Sequence, residues 1–390
     1  MSRSAQGTAA IPRGLTVTTA KPCPENIMAT PKDPVPYSPD VEEIQPDERE
    51  TAEKIAEQMV YIVDRTHEVD GHAVRSVHAK SHAILKGTLT VHDGLPAELA
   101  QGIFAAPRSY DVLLRISTIP GDVLRDSVSV PRGLAIKVFD VPGERLPGTE
   151  GENTQDFLMA GGPVFSAPDA WNFLSNLKLL ALTTERAEGA KAALSAVLRP
   201  VERAIEALGL KSPTLSTFGG YLPTNPLGED FFSQVPLRYG DYIAKFNVTP
   251  ESDSFKALKG KEVKLDDPNV LREAVIDELA RHGGAWTLNV QLCRDLKKMP
   301  VEDASVEWSE KLSPYQPVAT ISVPAQEAWS PDRAAKVDER IAFRPWHGVE
   351  AHRPLGNIMR ARRHVYPIAA EHRSKLTGCP LHEPSTLPDL

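Results

Sequence analysis

The chain is poor in cysteine. Among 390 residues only Cys23, Cys293 and Cys379 occur, far apart and without a CxxC pair. Neither a disulfide framework nor a zinc ribbon is encoded, and a reducing compartment is the simpler setting. Long apolar runs are missing too. No window approaches the ~18 apolar residues of a membrane-spanning helix, and the opening stretch MSRSAQGTAAIPRGLTVTTAKP holds no apolar core of the secretory kind. These absences lead us to expect a soluble, cytoplasmic protein. An excess of positive charge is also lacking: 44 Lys and Arg stand against 52 Asp and Glu, a formal charge of −8. Such a chain repels phosphate backbones on approach, so nucleic acid is not an expected partner. No internal repeat is visible.

What is present is a globular composition with long connections: 41% hydrophobic and 25% charged residues, with 34 prolines. Residues 1–45 carry little periodicity and many prolines (Pro22, Pro24, Pro31, Pro34, Pro36, Pro39), and read as an arm able to clasp an oligomer. From Pro46 the pattern changes. Ala52, Ile55, Ala56, Met59, Ile62 and Val63 recur at helical spacing, with Asp47 and Glu48 near the start and an end near His67. Strand-like runs follow at 76–91, 111–118, 132–141 and 154–160, then helical patterns at 168–184 and 185–208, the second interrupted by Pro200. Strands return at 242–248, 285–292 and 317–323, around a helix at 268–282, and a last helix spans 354–373 with a disturbance at Pro367. This order suits an α+β fold built on a closed or nearly closed antiparallel sheet. By itself it names no function.

Two groups of residues could carry chemistry. The first is Arg75-Ser76-Val77-His78-Ala79-Lys80, at the mouth of a predicted strand, with His82 following. On an alternating strand His78 and His82 share a face but stand ~13 Å apart, too far for one zinc ion. Taken alone, His78 reads as a hydrogen-bonded strand histidine. The second is Arg360-Ala361-Arg362-Arg363-His364-Val365-Tyr366, where Arg362 and Tyr366 at i, i+4 share a helix face. A guanidinium there could favour the phenolate, which otherwise needs ~4 kcal/mol at neutral pH. Taken alone, this segment reads as a solvated cationic face with one packed tyrosine. Lys80, His82 and Trp286 are left structural.

Taken together, these motifs resemble the haem-binding domain of catalases, in which a tyrosine is the proximal iron ligand. Arg-x-Val-His-Ala-Lys early in the chain and Arg-x-x-x-Tyr-Pro late in it carry the likeness, with LLRIST (113–118), PRGLAIKVF (131–139), ENTQDFLM (152–159), AWTLNVQL, VEW (306–308) and IAFRP (341–345) in between. The likeness spans about 75–373 and implies a catalase-like antiparallel β-barrel with surrounding α-helices, over 46–373, followed by a tail at 374–390. It further implies haem b as cofactor, Tyr366 as its iron ligand and Arg362 as the charge partner of that tyrosine. Arg75, Arg115 and Arg373 would hold propionates, and Val77 and Phe165 would form apolar walls. His78 would be the distal histidine, with Ser117 fixing its tautomer.

The pattern departs at one column: where catalases place a distal Asn this chain has Glu152, with Asn153 one place later. Either Glu152 faces the haem or a one-residue bulge turns Asn153 inward. The chain also ends 24 residues after Tyr366, a shorter covering that would leave the haem open to larger molecules. The resemblance therefore implies a haem-dependent peroxidase or catalase-like oxidoreductase. It would reduce hydrogen peroxide or organic hydroperoxides with a small organic reductant, as a homo-oligomer. Two other readings stay open: rearrangement of fatty-acid hydroperoxides, as in allene oxide synthases, and haem binding without turnover. Val77 stands where the allene oxide synthases tend to carry Thr, which weighs against the first.

Overall fold

A computed structural model of the chain describes residues 32–128, 130–183 and 221–390. Met1–Lys32 is a unit apart, and everything below concerns Asp33–Leu390. The predicted helix over 185–208 lies outside the described residues.

Among the described residues nine strands form one antiparallel sheet: β1 (Ser81–Val91), β2 (Ser109–Thr118), β3 (Arg132–Val138), β4 (Gln155–Ala160), β5 (Phe231–Phe232), β6 (Leu237–Tyr239), β7 (Tyr242–Pro250), β8 (Gly284–Leu292) and β9 (Gln316–Val323). The order β4-β3-β2-β1-β9-β8-β7 is closed by β5, which pairs with both β4 and β7, giving an eight-stranded barrel with β6 as a hairpin arm on β7. Alternation along each strand decides what fills it. Val112, Leu114, Ile116, Leu134, Ile136, Val138, Phe157, Met159, Phe246 and Val290 point inward into one cluster, so Leu113, Arg115, Ser117, Gly133, Ala135, Lys137, Asp156 and Leu158 face outward.

Six helices accompany the barrel among the described residues: α1 (Glu48–Asp70), α2 (Ala170–Thr183), α3 (Asp253–Lys256), α4 (Val270–Arg281), α5 (Pro331–Val337) and α6 (Asn357–Thr377). The periodic residues of α1, among them Ile55, Met59 and Ile62, bury one face against Ile358, Met359 and Val365 of α6 and Leu174 of α2. Each such side chain contributes ~1.5–3 kcal/mol of burial. The expected architecture, an antiparallel barrel with surrounding helices, is the one found.

Several boundaries differ from the sequence reading. The first strand starts at Ser81, not at 76, because residues 76–80 leave the ladder; His78 is therefore not a strand residue. α1 runs to Asp70, where Gly71 takes a left-handed φ of 68° and donates back to His67. α6 starts at Asn357, after Gly356, and passes through Pro367 without ending. A proline inside a helix removes one backbone bond. Packing on α1 and a 2.5 Å contact between His372 Nε2 and Asp64 Oδ1 hold the helix together beyond it. The sequence reading contains no counterpart of the short β5, β6, α3 and α5.

Candidate functional site

His78 sits in the turn that leads into β1, with φ of 56°. That left-handed conformation costs a non-glycine residue on the order of 1 kcal/mol or more, so the surroundings must impose it. They do so through three bonds. The His78 N–H donates to Ile119 O at 2.7 Å, the His78 carbonyl accepts from Arg115 Nη2 at 2.8 Å, and ring Nδ1 lies 3.1 Å from Ser117 Oγ. Ser117 on β2 is paired with Gly133 on β3. A β-carbon at Gly133 would stand 2.4 Å from His78 Cε1, so the imidazole occupies the space that glycine leaves. Burial lowers its pKa to about 3, and the positive charges of Arg115, Arg362 and Arg75 act in the same direction. The ring is neutral at pH 7, and Nε2 has no hydrogen-bond partner among the described residues.

Beside His78 three guanidiniums gather around one residue, Asp338, two of them on its carboxylate and the third on its backbone carbonyl. Asp338, just after α5, meets Arg115 Nε at 2.5 Å and Arg75 Nη1 at 3.1 Å through Oδ1, and accepts from Ser81 Oγ at 2.6 Å through Oδ2. Arg373 of α6 donates to the Asp338 carbonyl at 2.9 Å. Burial opposes the Asp338 charge, yet Arg115 and Arg75, with the Ser81 bond, hold its carboxyl below the usual range. For Arg75, burial and the neighbouring Arg115 both work against its charge. Arg373 is shifted down as well, first by burial and also by Arg115, with Asp338 acting the other way. One carboxylate thus stands among three cations, and an entering carboxylate would relieve the repulsion among them.

α6 supplies the opposite wall. Arg362 lies with its Cζ 5.2 Å from the centre of the Phe165 ring and its Nη1 3.7 Å from Met359 Sδ. The guanidinium–phenol contact with Tyr366 that the i, i+4 spacing suggested is not among its bonds in this structure. Tyr366 is half-buried, one turn further along the same face, and its hydroxyl has no hydrogen-bond partner among the described residues. Val77 and Phe165 both pack on the α1–α2–α6 cluster, which places apolar side chains beside the imidazole. Among the described residues no group of three His, Cys, Asp or Glu is placed to hold a metal ion by itself.

Glu152 and Asn153 are engaged elsewhere. They precede β4, at the end away from Ala160, which pairs with Gly133. Glu152 Oε2 lies 2.5 Å from His347 Nε2, and Asn153 Nδ2 donates to Ser385 O at 2.9 Å. Around them is a buried ionic group that the sequence reading did not find. Lys137 Nζ contacts Asp156 Oδ1 at 2.8 Å and Glu383 Oε1 at 2.7 Å, and His347 Nδ1 lies 3.2 Å from Glu383 Oε2. Asp338, His347 and Glu383 come from segments that only the fold brings together. The Lys137–Asp156 pair alone had a sequence signal, being charges on neighbouring strands otherwise read as buried. Lys80 and Trp286 serve the framework: Lys80 pairs with buried Asp126 at 2.6 Å, and Trp286 Nε1 donates to Leu227 O at 3.1 Å.

No protein-family model matches the chain, and no curated protein matches it by sequence. Solved structures do resemble its fold. A fungal catalase superposes with a TM-score of 0.56 at 18% identity, covering 80% of this chain and 63% of its own. Catalase A from Saccharomyces cerevisiae gives 0.55 at 19%, covering 80% and 64%, and a bacterial catalase gives 0.52 at 16%, covering 84% and 64%. The chain thus has a catalase-like fold and spans less than two thirds of the length of these catalases.

Proposed function

We propose that this chain is a haem-dependent oxidoreductase that reduces hydrogen peroxide or organic hydroperoxides at the expense of a small organic donor. The observation that carries the reading is His78: a neutral imidazole, held in a left-handed turn, whose Nε2 has no hydrogen-bond partner among the described residues, beside Arg75 and Arg115 on the Asp338 carboxylate and Arg373 on its carbonyl.

These residues suit haem b. Arg75, Arg115 and Arg373 would receive its propionates, Val77 and Phe165 would line it, and Tyr366, whose hydroxyl has no hydrogen-bond partner among the described residues, would ligate its iron, with Arg362 one turn away on the same helix face. When bound, haem supplies an iron centre that exchanges electrons with the peroxide. The remaining work belongs to the chain. Nε2 of His78 takes the proton of one peroxide oxygen and delivers it to the other, so that the departing oxygen leaves as water or an alcohol. Ser117 Oγ holds Nδ1 and thereby the ring orientation. Burial and the nearby arginines keep the imidazole free of a second proton, so it stays competent as a base well below neutral pH. Glu152 is paired with His347 and Asn153 with Ser385, so neither of these two residues is placed to join His78. That supports an external organic donor rather than a second peroxide as the reductant.

The test is reconstitution with hemin, followed by an absorption spectrum before and after hydrogen peroxide, and peroxide-driven oxidation of guaiacol. A Soret band and donor oxidation that falls ~100-fold or more in His78→Ala, with hemin still bound, is the expected result. Equal rates in the two proteins would mean haem binding alone. Consumption of a fatty-acid hydroperoxide without any donor would mean rearrangement.

A further inference from the structure

We propose that residues 380–390 are a strap that walls one side of the crevice in front of His78 and limits the size of what reaches the imidazole. After α6 the chain turns at Gly378, φ 67°, and runs back across the outer face of the barrel. His382 N–H donates to Arg340 O at 2.7 Å. Glu383 is the root. Its Oε1 accepts from Lys137 Nζ at 2.7 Å and Thr154 Oγ1 at 2.6 Å, where Lys137 is completely buried on β3. Its Oε2 faces His347, which in turn faces Glu152. Ser385 O accepts from Asn153, and Asp389 is met by Lys336 Nζ at 3.2 Å through its carbonyl and by Lys86 Nζ at 3.5 Å through its carboxylate.

The apolar end of the strap locates it relative to the site. Leu387 and Leu390 pack on a cluster containing Ile84, Leu113, Phe139, Val337 and Phe343, with Ala135 and Leu158. Leu113, Ala135 and Leu158 are outward residues of β2, β3 and β4, each two positions from Arg115, Gly133 and Ala160 respectively. Two residues of strand span ~7 Å, so the leucines cover the layer of side chains next to the one on which His78 rests. A carboxylate set between a buried ammonium and a threonine hydroxyl gives this segment a fixed seat on the barrel. Residues 380–390 thus cover a part of the outer face of the barrel beside that layer.

The strap is a property of the chain. Only what it excludes rests on the peroxidase reading, and the experiment separates the two. Three proteins are compared: the full chain, a chain ending at Cys379, and Leu387→Ser/Leu390→Ser, which keeps the ionic root. In the haem-free proteins, carbethoxylation of His78 by diethyl pyrocarbonate is followed by mass spectrometry, with circular dichroism to establish folding. A several-fold faster modification in either altered protein is expected. An unchanged rate in the folded double variant overturns the strap. In the hemin-loaded proteins, Soret shifts report binding of imidazole and of 4-phenylimidazole. The altered proteins should accelerate the bulky ligand at least several-fold more than the small one, and equal acceleration overturns the size limit. Absence of any Soret band in all three would sink the haem reading while the modification rates still decide the strap.

Discussion

Ser117 Oγ stands 3.1 Å from Nδ1 of His78, reaching from β2 to a histidine that precedes β1. Because Nδ1 is held there, Nε2 is the nitrogen that the proposed reaction would use. Ser117→Ala is expected to lower peroxide-driven donor oxidation by ~10-fold, the usual scale for losing a positioning hydrogen bond, while leaving hemin affinity within two-fold. Steady-state kinetics and a hemin titration check both halves. Unaltered turnover would remove the serine from the mechanism.

Tyr366 offers the opposite test. Its hydroxyl has no partner among the described residues, so Tyr366→Phe should change folding stability by no more than ~0.5 kcal/mol. Hemin binding should nevertheless weaken and the Soret maximum should move. Urea unfolding of the haem-free protein and a hemin titration would read the two separately, and a variant with normal hemin affinity and spectrum contradicts the proposed ligand.

Asp338 is the one carboxylate between Arg75 and Arg115. Asp338→Asn leaves buried cations facing each other, and a loss of ~3 kcal/mol is expected in the haem-free protein. Hemin should then raise the melting temperature of the variant more than that of the parent, because propionates restore the missing negative charge. A smaller rise in the variant would show that the guanidiniums do not receive them.

Acid should destabilise the fold through its buried imidazoles. His352 accepts the Ile103 N–H through Nε2 at 3.0 Å, and burial lowers its pKa to about 3. In the unfolded chain such a group titrates near 6.5, so between about pH 6.5 and 3 the unfolded state binds a proton that the folded state refuses. Stability contributed by the neutral ring is therefore complete above 6.5 and is lost as pH falls through that window. The slope is about 1.4 kcal/mol per pH unit for each imidazole of this kind. His78 behaves with the same sign. Urea midpoints from pH 6.5 to 4.5 should show a slope that drops by about one proton in His352→Leu, whatever that variant costs in absolute stability.

Much of this was legible in the sequence, for physical reasons. Strict alternation in DVLLRIST and RGLAIKV gives barrel strands with Arg115, Ser117 and Lys137 facing outward, and 3.6-residue spacing gives α1 and the shared face of Arg362 and Tyr366. The left-handed turn at His78 was hidden because SVHAKSHAIL alternates as well as a strand does. What removes residues 76–80 from the ladder is the bond to Ile119, a distant carbonyl. β5, the closing stave, has only two residues and too little pattern to read. α5 did carry a signal: Ser330 caps it, accepting from Arg333 N–H, and Pro331 opens it. The convergence of Arg75, Arg115 and Arg373 near Asp338 joins four segments, and no local pattern announces it.

Gly133 contributes no functional group, yet it is a position where a side chain has no space. The nearest ring atom lies 2.4 Å from where a methyl would begin, so alanine there would evict the imidazole from its berth on β3 and part it from Ser117. The imidazole of His78, the proposed base, is set in place as much by a vacancy as by any bond. A notch in a barrel stave beneath a left-handed histidine is a mark that can be looked for in other chains of this fold, even where identity lies below one residue in five.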